Sequence, residues 1–350
     1  MSCDFVALTS LDCACYDAYV AQHPKGSAYH FSGWLKSVSD AYGHDSVVAL
    51  MRNQDGEITG VAPLVIFTRP FGRPYLCALP YCDVGHVLAD TPETEALFQD
   101  AIAQFAQAKG YQKVLHRDVD IQSNSADDDL SGAKVAMKMP LEATADAQMA
   151  SYKSKLRSQI RKASKNGLTV TLVQDDSLLD DFYHVIERNM RQLGSPVHKK
   201  SWYQAILRHF QGRFCLGVVY SDERPIGAGL ILLHPALCSI PWASTLSEYN
   251  HLAPNMLLYG ELIGAAAQHG CPMFDFGRST YNEGTFRFKK QWGAEPYPLV
   301  WQDWLAVDAP KDSHAHTDST AKELAIKIWQ QLPLPVTTLV GSRVRGMISL

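Results

Sequence analysis

The chain has 350 residues, 46% of them hydrophobic and 19% charged, with a formal net charge of -4 and a pI near 6.3. At roughly 150 residues per domain this length predicts two domains, each large enough to bury a core. A mildly acidic balance gives no global reason to coat nucleic acid, no apolar run approaches the roughly 20 residues of a membrane span, and the first ten residues lack the basic-then-apolar pattern of a signal peptide, so a cytoplasmic protein is expected.

In chain order, residues 47–67 (VVALMRNQDGEITGVAPLVIF) read as strand, acidic turn, strand. Residues 93–110 follow as a helix stopped by glycine, and 111–115 as a strand. Residues 121–132 (IQSNSADDDLSG) are expected to be an exposed loop. A long helix is predicted over 145–166, stopped by Gly167, and then a strand over 168–173. The earlier pattern now recurs: residues 214–234 (FCLGVVYSDERPIGAGLILLH) form a second hairpin, 254–270 a second helix and 273–276 a second strand. Asp55 aligns with Asp222 and Gly60 with Gly227, an offset of 167 positions that points to a duplicated domain. The resulting division is 1–142 for a first domain, 143–307 for a second carrying the site, and 308–350 for a linker and tail.

The eight cysteines include no CxxC pair, which predicts reduced, buried thiols. His314 and His316 read as linker residues, and no metal is expected.

Two stretches carry chemistry. The predicted helix holds Lys153, Lys155, Arg157, Arg161, Lys162 and Lys165, six cations in thirteen positions, with no acid between Asp146 and Asp175. Lys153, Arg157 and Arg161 repeat at helical spacing and could grip phosphates, or could form a plain solvated face. The second stretch runs from Trp242 to Trp304. Transfer of an acyl group to an amine needs a proton acceptor and a group that meets the developing negative charge. Glu248 is the preferred base and Asp275 the reserve, Lys289 and Lys290 the charge stabilisers, and Arg278 a donor or phosphate contact. Tyr249, Asn255, Tyr259, Ser279 and Trp34 complete the candidate substrate-binding set with Arg157 and Arg161. Asp275 and Arg278 could instead form a structural ion pair, and Phe286, Phe288 and Trp292 could be core.

The motifs LRSQIRKASKNG (156–167), APNMLLYGELIGAAAQHG (253–270) and FDFGRSTYNEGTFRFKKQWGAEP (274–296), with AYHFSGWLKSVSDAYG (28–43), resemble the FemA/FemB/FemX-type aminoacyltransferases and related GNAT-like, BioF2-like acetyltransferases. The resemblance implies an α/β chain of two tandem GNAT-like domains, mixed sheets flanked by helices, that moves an acyl or aminoacyl group onto an amine of a cell-envelope or glycan-related acceptor. It also implies that Lys289 lies near the reacting carbonyl. The donor would be acyl-CoA or aminoacyl-tRNA. CoA-dependent relatives use a glycine-rich loop to cradle pyrophosphate, whereas SEYNHLAPNM here has no glycine, which favours tRNA or another carrier. A noncatalytic module that binds a glycan precursor or a partner protein is the alternative.

The tail IWQQLPLPVTTLVGSRVRG is similar to that of a branch associated with exosortase and exopolysaccharide systems. Pro333 and Pro335 forbid one long helix there. Packing on the body or a disordered end is the first expectation for the tail, while basic residues among Leu339, Val340, Val344, Met347, Ile348 and Leu350 leave peripheral contact with the inner face of a membrane open.

Overall fold

The same succession of elements is traversed twice. In the computed structural model, which describes residues 3–69, 72–120, 130–305 and 319–350, the first pass runs β1 (Cys3–Ala7), α1 (Cys13–Gln22), α2 (Ser32–Tyr42), β2 (Asp45–Arg52), β3 (Ile58–Phe67), β4 (Tyr75–Cys77), β5 (Leu88–Ala89), α3 (Pro92–Ala108), β6 (Val114–Val119) and β7 (Lys134–Pro140). Two helices, α4 (Ala145–Ser151) and α5 (Ser154–Lys165), connect to the second pass. This comprises β8 (Thr169–Val173), α6 (Leu179–Gln192), α7 (Lys200–His209), β9 (Phe214–Ser221), β10 (Arg224–Leu232), β11 (Cys238–Thr245), α8 (Pro254–Gln268), β12 (Met273–Thr280), α9 (Gly284–Gln291) and β13 (Glu295–Asp303). The tail adds α10 (Ser319–Gln331) and α11 (Leu334–Val344). The expected loop at 121–132 and break at 308–320, His314 and His316 included, lie almost wholly outside the described residues.

Local chemistry accounts for the repeated pieces. In the second hairpin Asp222 and Glu223 both take positive φ, 47° and 66°, the two-residue turn whose twist matches its strands. Thr91 caps α3, with Pro92 in its first turn and Gly110 in the left-handed region beyond its end.

The expected single helix over 145–166 is two. Tyr152 and Lys153 are extended, with ψ of 149° and 146°. No proline or glycine causes the break: Tyr152 is buried with its ring 5.4 Å from that of Trp292. Arg157 Nη1 donates to the carbonyls of Ala150, at 2.9 Å, and Tyr152, at 2.6 Å, which have lost their helical partners.

The strands form one continuous sheet in the order β1-β2-β3-β4-β6-β13-β7-β12-β11-β10-β9-β8, with β5 paired to β3 off this path. Hydrogen bonding crosses the division at residue 142. β7 precedes it yet pairs with β12, and β13 pairs with both β6 and β7. Each half therefore contributes a strand beside the other's sheet. Helices α2 and α7 join the halves in a shared aromatic core, where the Trp34 and Trp202 rings meet edge-on at 5.2 Å.

In each half one neighbouring pair is parallel and brief. β4 meets β6 at Leu76↔Val114 and Cys77↔Leu115, and β11 meets β12 at Cys238↔Phe274 and Ser239↔Asp275. Beyond those pairs the strands part. In the first half the gap is filled from within: buried Arg117 donates to the carbonyls of Leu79 (3.1 Å) and Cys82 (3.0 Å), and its other amine reaches Ser349 Oγ of the tail at 3.2 Å.

Candidate active site

The parting of β11 and β12 in the second half organises the candidate residues. Past Ser239, β11 pairs only with β10, while past Asp275, β12 pairs only with β7. β12 is also bulged between Asp275 and Arg278, where Gly277 has φ +71°, a conformation that costs little only for glycine. The bulge turns the Gly277 and Arg278 carbonyls toward α9, and Lys289 Nζ donates to both, at 3.0 and 2.8 Å.

Lys289 is 7% exposed. Burial lowers its pKa to about 8, against the opposing pull of Asp275 and Asp83. An ammonium has three protons, and two are used by these carbonyls, which leaves one for a ligand oxygen. Asp275 is buried too. Burial raises its proton affinity, while Lys138, its cross-strand neighbour on β7, and the Gly277 N–H, 2.8 Å from Oδ1, pull the other way.

Of the two readings of Asp275 and Arg278, the ion pair between them is absent among the described residues. Arg278 pairs with Asp83 of the first half, with Nε 3.5 Å from Oδ1 and its backbone N–H 3.2 Å from Oδ2. Its guanidinium also lies 5.1 Å from the Trp301 ring centre, and Trp301 Nε1 donates to the Asp83 carbonyl at 3.0 Å. Asp83 and Lys138 are the members that sequence reasoning missed. Neither sits in a recognisable spacing, and each arrives from the first half through the exchanged sheet or the loop after β4.

The remaining candidates separate by environment. Ser279 Oγ is buried with no hydrogen-bond partner among the described residues. Tyr259 stacks on Phe276 at 5.8 Å and meets Phe288 edge-on at 5.0 Å; burial raises its pKa to about 12. Phe286 and Trp292 are core. Lys290 is exposed and bonded to Glu295 at 2.5 Å. Glu248 sits in a 3-10 turn (Ser247–Leu252) after β11, exposed, and accepts from Gln192 Nε2 at 3.3 Å, so it shares no hydrogen-bond partner with Lys289. Half-buried Tyr249 lies in the same turn, and Asn255 follows in the first turn of α8, whose N-terminus has no side-chain cap.

Two expectations are corrected. Trp34 is fully buried, and its Nε1 donates to the Pro80 carbonyl at 3.0 Å, so it is a core residue and not a substrate platform. Arg157 is turned back to the α4 carbonyls, whereas Arg161 on the same helix is exposed. Among the described residues, no group of three or more His, Cys, Asp or Glu side chains could hold a metal ion.

Compared with known proteins, residues 150–290 match the family described as acetyltransferase (GNAT) domain. The lipid II:glycine glycyltransferase of Staphylococcus saprophyticus subsp. saprophyticus is 21% identical over an alignment covering 84% of this chain and 92% of that protein. FemX superposes with a TM-score of 0.67 at 16% identity, over 87% of this chain and 97% of its own. A tandem GNAT protein from the clavulanic acid biosynthesis pathway gives 0.52 at 14%, over 89% and 100%. The fold is thus the mixed α/β GNAT type.

Proposed function

We propose that the protein transfers an aminoacyl group from tRNA to an amine of a lipid-linked cell-envelope precursor, a reading supported by the match of residues 150–290 to the acetyltransferase (GNAT) domain family and by the likeness of the fold to FemX. Lys289 carries this reading: a nearly buried ammonium with one proton free, at the mouth of the parted strands. In the reaction the acceptor nitrogen bonds to the aminoacyl carbonyl carbon, the ester bond to the ribose oxygen breaks, and the amine gives up a proton. Lys289 meets the negative charge that develops on oxygen. Asp275, whose proton affinity is raised by burial, takes the proton from the amine and passes it on to the leaving ribose oxygen, which departs as the hydroxyl. Arg278, held by Asp83, orients the donor, and Glu248 borders the acceptor side.

The glycine-free turn before α8 favours tRNA over acyl-CoA, and the exposed cations of α5, Arg161 foremost, suit its phosphates. A lipid-linked acceptor also calls for work at a membrane face, and no described helix is long and apolar enough to cross one. The separate hydrogen bonding of Glu248 and Lys289 is the observation that favours the alternative, a binding module without turnover. Activity assays with charged tRNA and a lipid-linked acceptor decide between them. Lys289→Met should slow transfer by about 100-fold, and Asp275→Asn should also impair it. Full activity of both variants would overturn these roles.

A further inference from the structure

The polarity of α11 is reversed with respect to an ordinary surface helix. Its inward residues are Thr337 and Gly341. A Cβ at Gly341 would stand 3.0 Å from Val197 N and 3.3 Å from Pro196 Cα, so a small residue lets the helix lie close on the body. The outward side carries Val336, Leu339, Val340 and Val344, with Met347 and Ile348 beyond, and Leu339 is 56% exposed. Leu324 and Ile328, one turn apart on α10, at 59% and 55%, and Leu193 at the end of α6, at 59%, are exposed as well. Exposed apolar side chains in this number mark a surface that something covers.

The face is fixed and does not belong to a loose tail. Arg191 Nε donates to the Leu332 carbonyl at 2.7 Å, Thr338 Oγ1 to Glu187 Oε2 at 3.1 Å, and Tyr81 Oη to the Gly346 carbonyl at 2.9 Å. Its charge is predominantly positive. From Ser319 to Leu350 the sequence holds Lys322, Lys327, Arg343 and Arg345 against one acid, Glu323. Arg345 folds back over the Tyr81 ring, which leaves Lys327 and Arg343 exposed beside the apolar side chains. A second copy of the chain would set one net positive face against another, with only Glu323 to offset the cations. An anionic bilayer supplies acyl carbon to the leucines and valines and phosphate to the cations.

We infer that the outward face of α10 and α11 docks on an anionic lipid surface. Gln192 links this face to the candidate site: its carbonyl accepts from Gln330 of α10 at 2.7 Å, and its amide reaches Glu248 at 3.3 Å. Through Gln192, docking is coupled to the turn that carries Glu248. The benefit of this coupling rests on the proposal of a lipid-linked acceptor, whereas the docking itself is measurable without turnover.

The test is co-sedimentation of the full chain with vesicles of phosphatidylglycerol and phosphatidylethanolamine, against vesicles of phosphatidylcholine alone. Binding is expected to the anionic vesicles and to weaken with salt. Lys327→Glu and Arg343→Glu should each weaken it by roughly fivefold or more. The pair Leu339→Glu and Val340→Glu, pointing outward, should weaken it by about tenfold or more with an unchanged melting temperature. No vesicle binding by the unaltered chain, or equal binding by the leucine-valine pair, overturns the inference. So does a dimer in gel filtration that the same pair dissolves, which would assign the face to a second copy. Face-dependent binding without transfer to any lipid-linked amine would sink the transfer reading and leave docking intact.

Discussion

Lys289 and Arg157 sit in stretches of similar basic composition, and their surroundings give them opposite work. Lys289 is charged below a pH of about 8 and neutral above it, because burial depresses its pKa. If its ammonium stabilises the oxyanion, kcat falls as pH rises through that value, and the slow Lys289→Met variant has no such limb; a pH profile of both checks this. Arg157 supports the chain break by donating to two carbonyls. Arg157→Ala should cost about 1–2 kcal/mol in urea unfolding, since both carbonyls lose a charged donor. Arg161→Ala, at an exposed position, should leave the unfolding midpoint in place and weaken salt-sensitive tRNA binding, read by fluorescence anisotropy. The helical spacing of these cations was legible in the sequence. Which one turns back was not, because that depends on where Tyr152 is buried. Trp34 shows the same limit: composition marks it as a large apolar residue, and only the packing of α2 on α7 makes it core.

Among the elements, both hairpins were legible from their turns, α3 from its Thr91 cap and α8 from Pro254 in its first turn and Gly270 beyond its end, since these signals lie within a few residues of one another. The break between α4 and α5 was not, because a contact with Trp292 makes it. The bulge in β12 was likewise hidden, though FDFGRS held its glycine. Gly277→Ala should cost about 1–2 kcal/mol of stability through the positive φ, measured by denaturant unfolding. It should lower kcat by more than this destabilisation accounts for, since a shifted Gly277 carbonyl releases Lys289. An equal kcat for the variant would separate the bulge from the chemistry. Asp83 entered the site unannounced for a related reason. The loop that fills the first half's parted strands also carries the carboxylate that holds Arg278 of the second.

Across the whole molecule, the duplicated order was legible from the offset hairpins, but the exchange of β7 and β13 was not. Sequence patterns report which residues alternate, not which strand lies beside which. Residues 143–307 alone keep β12 and β13 but lose β7, so they are expected to show no cooperative unfolding, whereas the whole chain should melt in one calorimetric transition. Two transitions for the intact chain would mean that the halves are independent despite the shared sheet. The exchange also sets an order of events during synthesis. Until residues 295–303 have left the ribosome, the edges of β6 and β7 that β13 will join stand unpaired, and bare strand edges of this kind invite association with other nascent chains. The last strand of the body therefore closes the sheet at its middle, and the earlier half must wait for it, protected by chaperones or slow to become soluble.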